Sequence, residues 1–149
     1  MEDLFDSAPP AGVYAMRVAV PARGERLDLT GLGGSLRWYG LVWTWWLRIA
    51  LGWFFGERLR LHRPDRVAPG STVDWWTVVD VDAHRLVLHT DKWFSGEAWL
   101  GYRIADGTLT QVGALRPNGW LGKAYWWAVY PVHLVVFRVM ARRQARRAR

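Results

Sequence analysis

The sequence predicts an α+β fold in which a curved antiparallel sheet wraps around one long C-terminal helix. Between residues 73 and 117, apolar and polar residues alternate in short runs separated by turn-forming residues, which indicates consecutive strands. After residue 119 the apolar residues recur with the helical period up to an arginine-rich end. Both segments have a wide apolar surface, so the sheet and the helix are expected to pack as two layers.

The N-terminal part is expected to contribute one strand and two short helices. The strand covers Val13–Val20, whose even-numbered residues would share one face. Apolar residues then recur at intervals of three and four from Ser35, a candidate N-cap, to about Leu61. Glycines inside this stretch favour two short helices over one long helix. The predicted apolar stripe contains Leu36, Trp43, Leu47 and Phe54.

Four strands of an antiparallel meander are expected to follow. Their predicted bounds are Val73–Asp82, Leu86–Trp93, Glu97–Ile104 and Thr108–Pro117. The residues "ADG" at 105–107 predict a tight turn between the last two strands. The odd-numbered residues of the first strand are expected to face the interior, together with Ala98, Leu100, Tyr102 and Ile104 of the third. Glu97, Trp99 and Arg103 would then lie on the outer surface.

The C-terminal helix carries two adjacent apolar stripes, so it should be covered broadly. Leu121, Tyr125, Ala128, Val132, Val135 and Val139 form the first stripe, and Trp126, Val129, His133 and Phe137 form the second. Pro131 is expected to kink or split the helix, because its ring clashes with the carbonyl of Trp127. The uncharged segment "AYWWAVYPVHLVVF" (124–137) would face the inside of the curved sheet.

The composition fits one globular domain over residues 1–149, with flexible ends at 1–12 and 143–149. A chain of 149 residues with 22% charged residues is an ordinary domain with one core. Its start, "MEDLFDSAPP", lacks the pattern of a secretory signal, so a cytoplasmic location is expected. The longest uncharged stretch has fourteen residues, fewer than the roughly 20 of a membrane-spanning helix. Twelve tryptophans suggest partly hydrated surfaces, a wide cavity lining or an interface.

The net charge of +7 is concentrated in the runs 56–66 and 138–149. A solvated helix end accounts for the second run, because cations favour the negative pole of the helix dipole. Contact with RNA or weak contact with an anionic membrane is the alternative. Nucleic acid is disfavoured, because the arginines and the aromatic rings occupy separate segments. The chain has no cysteine, and its four histidines lack the spacing of metal ligands. No metal and no cofactor are therefore expected.

Several stretches resemble a bacterial family, the domain-of-unknown-function family 2867. They are "GGSLRWYG", "DWWTVVDVDAHRLVLHTDKWFSGEAWLGYRI" and "LTQVGALRPNGWLGKAYWWAVYPVHLVVFRVM", and the most specific are "SGEAWL" and "RPNGWLGKAYWWAVYPVH". The resemblance implies membership of the START and polyketide-cyclase (SRPBCC) superfamily, with its helix-grip fold and apolar cavity. Members often follow an NAD(P)-binding half, but "GLGGS" lacks the G-x-G-x-x-G spacing of such a half. The family implies no catalytic residues.

The candidate ligand-binding residues are those predicted on the inner faces of the sheet and the helix. They are His133, Tyr125, Trp126, Val129, Phe137, Tyr102, Leu100 and Trp75. A neutral imidazole at His133 could orient a ligand carbonyl or move a proton. The alternative is a core histidine bonded to strand backbone or to Tyr102.

Three functions stay open at this point. The first is non-catalytic binding of a small hydrophobic or aromatic molecule, such as a lipid, a polyketide or a quinone-like compound. The second is a cyclase or isomerase that uses the same pocket, with His133 and a tyrosine moving protons. The third is an interaction module for a membrane surface or a separately encoded dehydrogenase. A homodimer through an outer face bearing Trp76 and Trp99 is a further expectation.

Overall fold

The computed structural model describes residues 4–58 and 60–149, and in them a six-stranded antiparallel sheet is covered on one face by helices. The strands are β1 (Tyr14–Pro21), β2 (Thr72–Val73), β3 (Trp76–Val81), β4 (Arg85–Lys92), β5 (Gly96–Ala105) and β6 (Thr108–Pro117), in the spatial order β1-β6-β5-β4-β3-β2. A 3₁₀ turn (Leu36–Tyr39) precedes helix α1 (Val42–Phe54), and α2 (Gly119–Arg147) ends the chain. The predicted α+β class, a curved sheet with a long C-terminal helix, is confirmed.

A two-residue turn sets the register of the central hairpin. Asp106 and Gly107 both have positive φ, 49° and 69°, as a type I′ turn requires. The pairs between β5 and β6 then run from Ala105 with Thr108 to Gly96 with Pro117. The predicted turn and the bounds of β6 are confirmed, and β5 is longer than predicted by one residue at each end.

The segment around Asp74 departs from the single straight strand that the alternation predicted. β2 and β3 form a hairpin in which Val73 pairs with Trp76, and Asp74 in the turn has a φ of 53°. Residues paired across an antiparallel ladder point to the same face, so Val73 and Trp76 both point inward. The predicted inward face is therefore wrong for residues 76–79: Val78 is buried and Val79 is exposed. Val81 packs against the core, as predicted.

The hairpin also overturns the placement of Trp76 on an outer face. Its side chain is only 7% exposed, and its indole N–H donates to the Tyr39 hydroxyl at 3.1 Å. Trp99 does lie on the outer face, where the Arg116 guanidinium sits 5.6 Å from the ring centroid. The two tryptophans therefore share no surface, and a homodimer stays a prediction without Trp76 in its interface.

Two short helices replace the long helical stretch, as predicted. The Ser35 hydroxyl accepts from the Arg37 N–H and caps the 3₁₀ turn, which stops at Gly40 with a φ of 94°. Because the helical period does not continue through Gly40, the residues of α1 that face the core cannot be counted from the 3₁₀ turn. The predicted apolar stripe is therefore wrong within α1. Trp45, Ile49 and Gly52 are buried, whereas Trp43, Leu47 and Phe54 face solvent.

Helix α2 runs for 29 residues without a break at Pro131, so the predicted split is wrong. Its second predicted stripe faces the sheet: Trp126 is buried, and Val129, His133 and Phe137 are half-buried. The first stripe is only partly covered, and Ala128, Val132 and Val135 are exposed. The sheet covers one side of the helix, and Ala128 and Val132 border a gap between α2 and α1.

Residues near both ends of the described chain pack against the sheet and its loops, and the flexibility expected for 1–12 and 143–149 stays a prediction. Leu4 and Phe5 are buried on the outer face, where Gly101 leaves room for them. At the other end, the backbones of Arg149 and Arg26 exchange two hydrogen bonds. Residues 1–3 of the predicted flexible start lie outside the described residues.

Candidate functional site

A cavity of about 90 Å³ lies between the inner face of the sheet and α2. Gly113 on β6 lies directly beneath Phe137, because a Cβ at this position would be 2.1 Å from the ring. The Phe137 ring can therefore pack this close to β6 only because residue 113 has no side chain. The lining includes Leu100 and Gly113 from the sheet, Trp45 and Arg48 from α1, and Trp126, His133 and Phe137 from α2.

A second cavity of about 140 Å³ lies between α1 and α2. The two cavities share Trp45, Arg48, Tyr125, Val129 and His133, which therefore form a partition between them. Two of these five side chains belong to α1 and three to α2, so both helices contribute to the partition.

His133 is held in the neutral form by its surroundings. Burial lowers the pKa of the imidazole, the nearby Arg48 charge lowers it further, and the hydrogen bond to the Val129 carbonyl opposes both effects in part. A carbonyl oxygen can only accept, so Nδ1, 3.0 Å from it, carries the proton. Nε2 is then the acceptor nitrogen of the ring. The Phe137 ring packs edge-on to the imidazole, with centroids 5.3 Å apart.

Trp45 brings an unsatisfied donor to the partition. Its indole N–H is buried and has no hydrogen-bond partner in the described part of the chain. The ring itself is held firmly, 4.1 Å from the Tyr39 ring and 5.7 Å from the Trp75 ring. An orphaned buried donor costs about 1–3 kcal/mol, so a bound acceptor would gain from meeting it.

Arg48 and Lys92 place positive charge at the edge of the cavity. Both cations contact the Glu57 carboxylate, at 3.3 Å and 3.8 Å, and this carboxylate is 8% exposed. Two cations facing one carboxylate leave the edge with an excess of one positive charge. The guanidinium of Arg48 also lies 5.9 Å from the centre of the Tyr125 ring, and burial raises the pKa of the Tyr125 hydroxyl.

A buried carboxylate fixes the aromatic wall behind Trp45. One oxygen of Asp74 accepts from the backbone N–H groups of Gly34 and His62, at 2.9 and 3.0 Å. The other accepts from the Trp38 indole N–H and the Tyr39 hydroxyl, both at 3.1 Å. Asp74 thus connects the β2–β3 turn to the loop at Gly34, the 3₁₀ turn and the loop at His62. This role is structural. Burial and the neighbouring Asp74 charge raise the pKa of Tyr39 well above its usual value.

Of the eight predicted ligand-binding residues, all but Tyr102 line the 90 Å³ cavity. Tyr102 points inward but is buried in the main core, and burial raises the pKa of its hydroxyl. His133 was predicted either to contact a ligand or to bond to strand backbone or Tyr102. Its imidazole does bond to backbone, but the partner is the Val129 carbonyl on its own helix. The binding role of these residues stays a prediction.

The sequence patterns missed Trp45, Arg48 and Glu57. Trp45 and Arg48 share a helical face, but the predicted stripe took the opposite side of α1. Glu97 lies on the outer surface, as predicted, and accepts from Arg116 at 2.7 Å. Among the described residues, no three His, Asp or Glu side chains come together as a metal site would need.

These features define a helix-grip-like α+β domain, in which an antiparallel sheet holds a C-terminal helix over small apolar cavities. Residues 7–140 match the sequence model of the family described as "Protein of unknown function (DUF2867)", and the chain belongs to that family. The predicted family is therefore confirmed. A search of the curated proteins returned no match. The wider relationship to the START and polyketide-cyclase superfamily stays a prediction.

Proposed function

We propose that the protein binds a small hydrophobic or aromatic molecule between its sheet and α2, without catalysing a reaction. The observation that carries this proposal is the buried, unsatisfied indole N–H of Trp45, a residue that lines a cavity with mainly apolar walls. Ligand pockets typically combine apolar walls with a few polar groups that orient the guest. Here Trp45, with its unsatisfied donor, and His133, with its acceptor nitrogen, line both cavities.

The cavity volumes limit the size of the guest. A dry cavity of about 150 Å³ is known to hold a benzene ring. The cavities here measure about 140 and 90 Å³, so each accommodates at most one ring or a short chain. A larger guest would require α1 to shift and carry Trp45 and Arg48 out of the partition.

The polar groups favour a guest with a hydroxyl or carbonyl over a hydrocarbon of the same shape. An acceptor atom on the guest would satisfy the Trp45 N–H, and a hydroxyl could also donate to His133. Satisfying one orphaned donor is worth about 1–3 kcal/mol before the guest's own desolvation. A net preference of about tenfold in Kd is therefore expected.

Phenol and toluene, which have nearly the same shape, test the proposal. A ligand that binds only the folded state raises the melting temperature, and phenol should raise it at lower concentrations than toluene. The variant Trp45→Phe removes the indole N–H and should abolish this preference while toluene still binds. Trp120→Phe is the control, because Trp120 is exposed and lies outside the lining of both cavities.

Two results would contradict the proposal. If neither compound shifts the melting temperature of the unmodified protein, the cavities do not accept a ring. If the Trp45→Phe protein retains the preference for phenol, the indole N–H does not orient the guest.

A further inference from the structure

Helix α1 exposes an entirely apolar face. Within an α-helix, successive residues are separated by 100°, and the exposed residues of α1 fall within one sector of about 140°. We call this sector the α1 stripe: Val42, Trp43, Trp46, Leu47, Ala50, Trp53 and Phe54. Five of the seven, Trp43, Trp46, Leu47, Trp53 and Phe54, are between 60% and 83% exposed. A helix on the surface of a globular protein normally carries polar residues on this side.

The apolar surface continues from α1 onto α2. The 140 Å³ cavity lies between them, lined by Leu47 on α1 and by Ala128 and Val132 on α2. Val132 and Val135 are 38% and 55% exposed. Contiguous apolar surface of this extent indicates a contact with a partner or a membrane.

The charges of the molecule are divided between its two layers. Neither α1 nor α2, all of whose residues the structure describes, contains an aspartate or a glutamate. Helix α2 carries Lys123 and five arginines, and the only charged residue of α1 is Arg48. The acidic residues within 4–58 and 60–149 belong to the strands and the loops, so the helical layer is positive and apolar.

Four arginines lie next to the first residue of the α1 stripe. Arg37, Arg143, Arg146 and Arg147 border one hollow together with Gly40 and Val42. The Asp28 carboxylate lies within range of Arg147, but Arg149 pairs with it at 3.6 Å. The α1 stripe therefore has a cluster of cations at its N-terminal end.

We propose that the α1 stripe docks on an anionic lipid bilayer, with the arginine cluster contacting the lipid headgroups. Tryptophan is enriched where membranes meet water, and amphipathic helices with basic residues lie flat in that region. The 13 residues of α1 are about 20 Å long at 1.5 Å per residue, too short to span a bilayer. In the described part of the chain, no helix is long and apolar enough to cross a membrane.

Charge complementarity favours the bilayer over a second copy of this chain. A symmetric dimer through the helical layer would bury the arginine clusters of both copies without an acidic side chain on either helix to pair with them. An anionic bilayer supplies compensating charge along the whole surface. Each basic residue near such a surface increases binding by about fivefold at moderate salt.

Flotation with vesicles of phosphatidylcholine, with and without phosphatidylglycerol, tests the proposal on the full chain. Binding should require the anionic lipid and should weaken as salt rises. The double variant Arg146→Gln/Arg147→Gln should lower the partition coefficient about 25-fold at low salt. Arg17→Gln is the matched control, because Arg17 is an exposed arginine on β1 of the sheet and should leave binding unchanged.

The apolar contribution is tested in the same assay. Trp43→Ser/Trp53→Ser removes two exposed rings and should lower binding at least about tenfold, whereas Val79→Ser on the sheet should not. Phe54→Ser replaces the double variant if that protein no longer melts cooperatively. Failure to bind anionic vesicles, or binding that is unaffected by these variants, overturns the proposal. Concentration-dependent self-association that the tryptophan variants abolish would also overturn it and assign the stripe to a second copy.

Discussion

Replacement of Asp74 by asparagine should strongly destabilise the protein. The side chain is 5% exposed, and its two oxygens each accept two hydrogen bonds. Asparagine has the same shape and tolerates the positive φ of 53°, so the backbone is not strained. However, the amide can offer only one oxygen. Whichever way it is oriented, two donors then face an N–H₂ group in place of an acceptor.

The magnitude follows from those lost bonds. Hydrogen bonds to a charged group contribute about 1.5–3 kcal/mol each, so two of them amount to about 3–6 kcal/mol. The Tyr39 hydroxyl can rotate and accept from the new N–H₂ group, which reduces the loss to about 3 kcal/mol. For a chain of this size, that corresponds to a fall in melting temperature of about 6–12 °C.

Urea denaturation followed by circular dichroism would measure the free energy of unfolding of the Asp74→Asn protein. Asp82→Asn is the matched control. One oxygen of Asp82 accepts from the backbone N–H groups of His84 and Arg85, at 2.6 and 2.7 Å, and an asparagine oxygen can replace it. The control should lose less than about 1 kcal/mol, because the site is exposed. If the two variants have the same stability, the four-bond role of Asp74 is refuted.

Two further predictions concern the cavity. Gly113→Ala should force the Phe137 ring into the 90 Å³ cavity. The free energy of unfolding should fall by about 1–3 kcal/mol, and phenol should raise the melting temperature less than in the unmodified protein. Unchanged stability and an unchanged response to phenol would contradict this prediction. The lowered pKa of His133 means that the unfolded chain binds a proton more readily than the folded protein. Stability should therefore fall as pH drops below the unfolded value of 6.5, until the folded pKa is passed. His133→Gln should remove part of this slope in urea titrations carried out below pH 6.5, and an identical slope in both proteins would contradict the assignment.

The meander could be predicted because its signals are local. The alternation in Glu97–Ile104 assigned the inward residues of β5 correctly, and the Asp106–Gly107 turn fixed the pairing of β5 with β6. The same alternation failed for residues 76–79. A turn at Asp74 reversed the phase of the pattern there, and nothing in a strand-like run of residues indicates such a turn unless its partners are known.

The residues with which α2 lines the cavity were predicted, and the residues with which α1 lines it were missed. Trp126, Val129, His133 and Phe137 follow the helical period of α2, so their common face could be predicted from spacing alone. Trp45 and Arg48 could not, because the break at Gly40 shifts the phase of α1 by an amount that depends on the fold. The ion pair of Lys92 with Glu57 also joins residues that are distant in the sequence.

The sequence by itself determined the class of fold, the order of its elements and the family, because periodicity, turn residues and family motifs are properties of neighbouring residues. The tertiary structure decided which faces meet. It turned Trp76 inward, left the α1 stripe exposed, and gathered the four donors around Asp74. The physical reason is that burial depends on the positions of several elements at once. A pattern in one element shows that a face is apolar, but not what covers it.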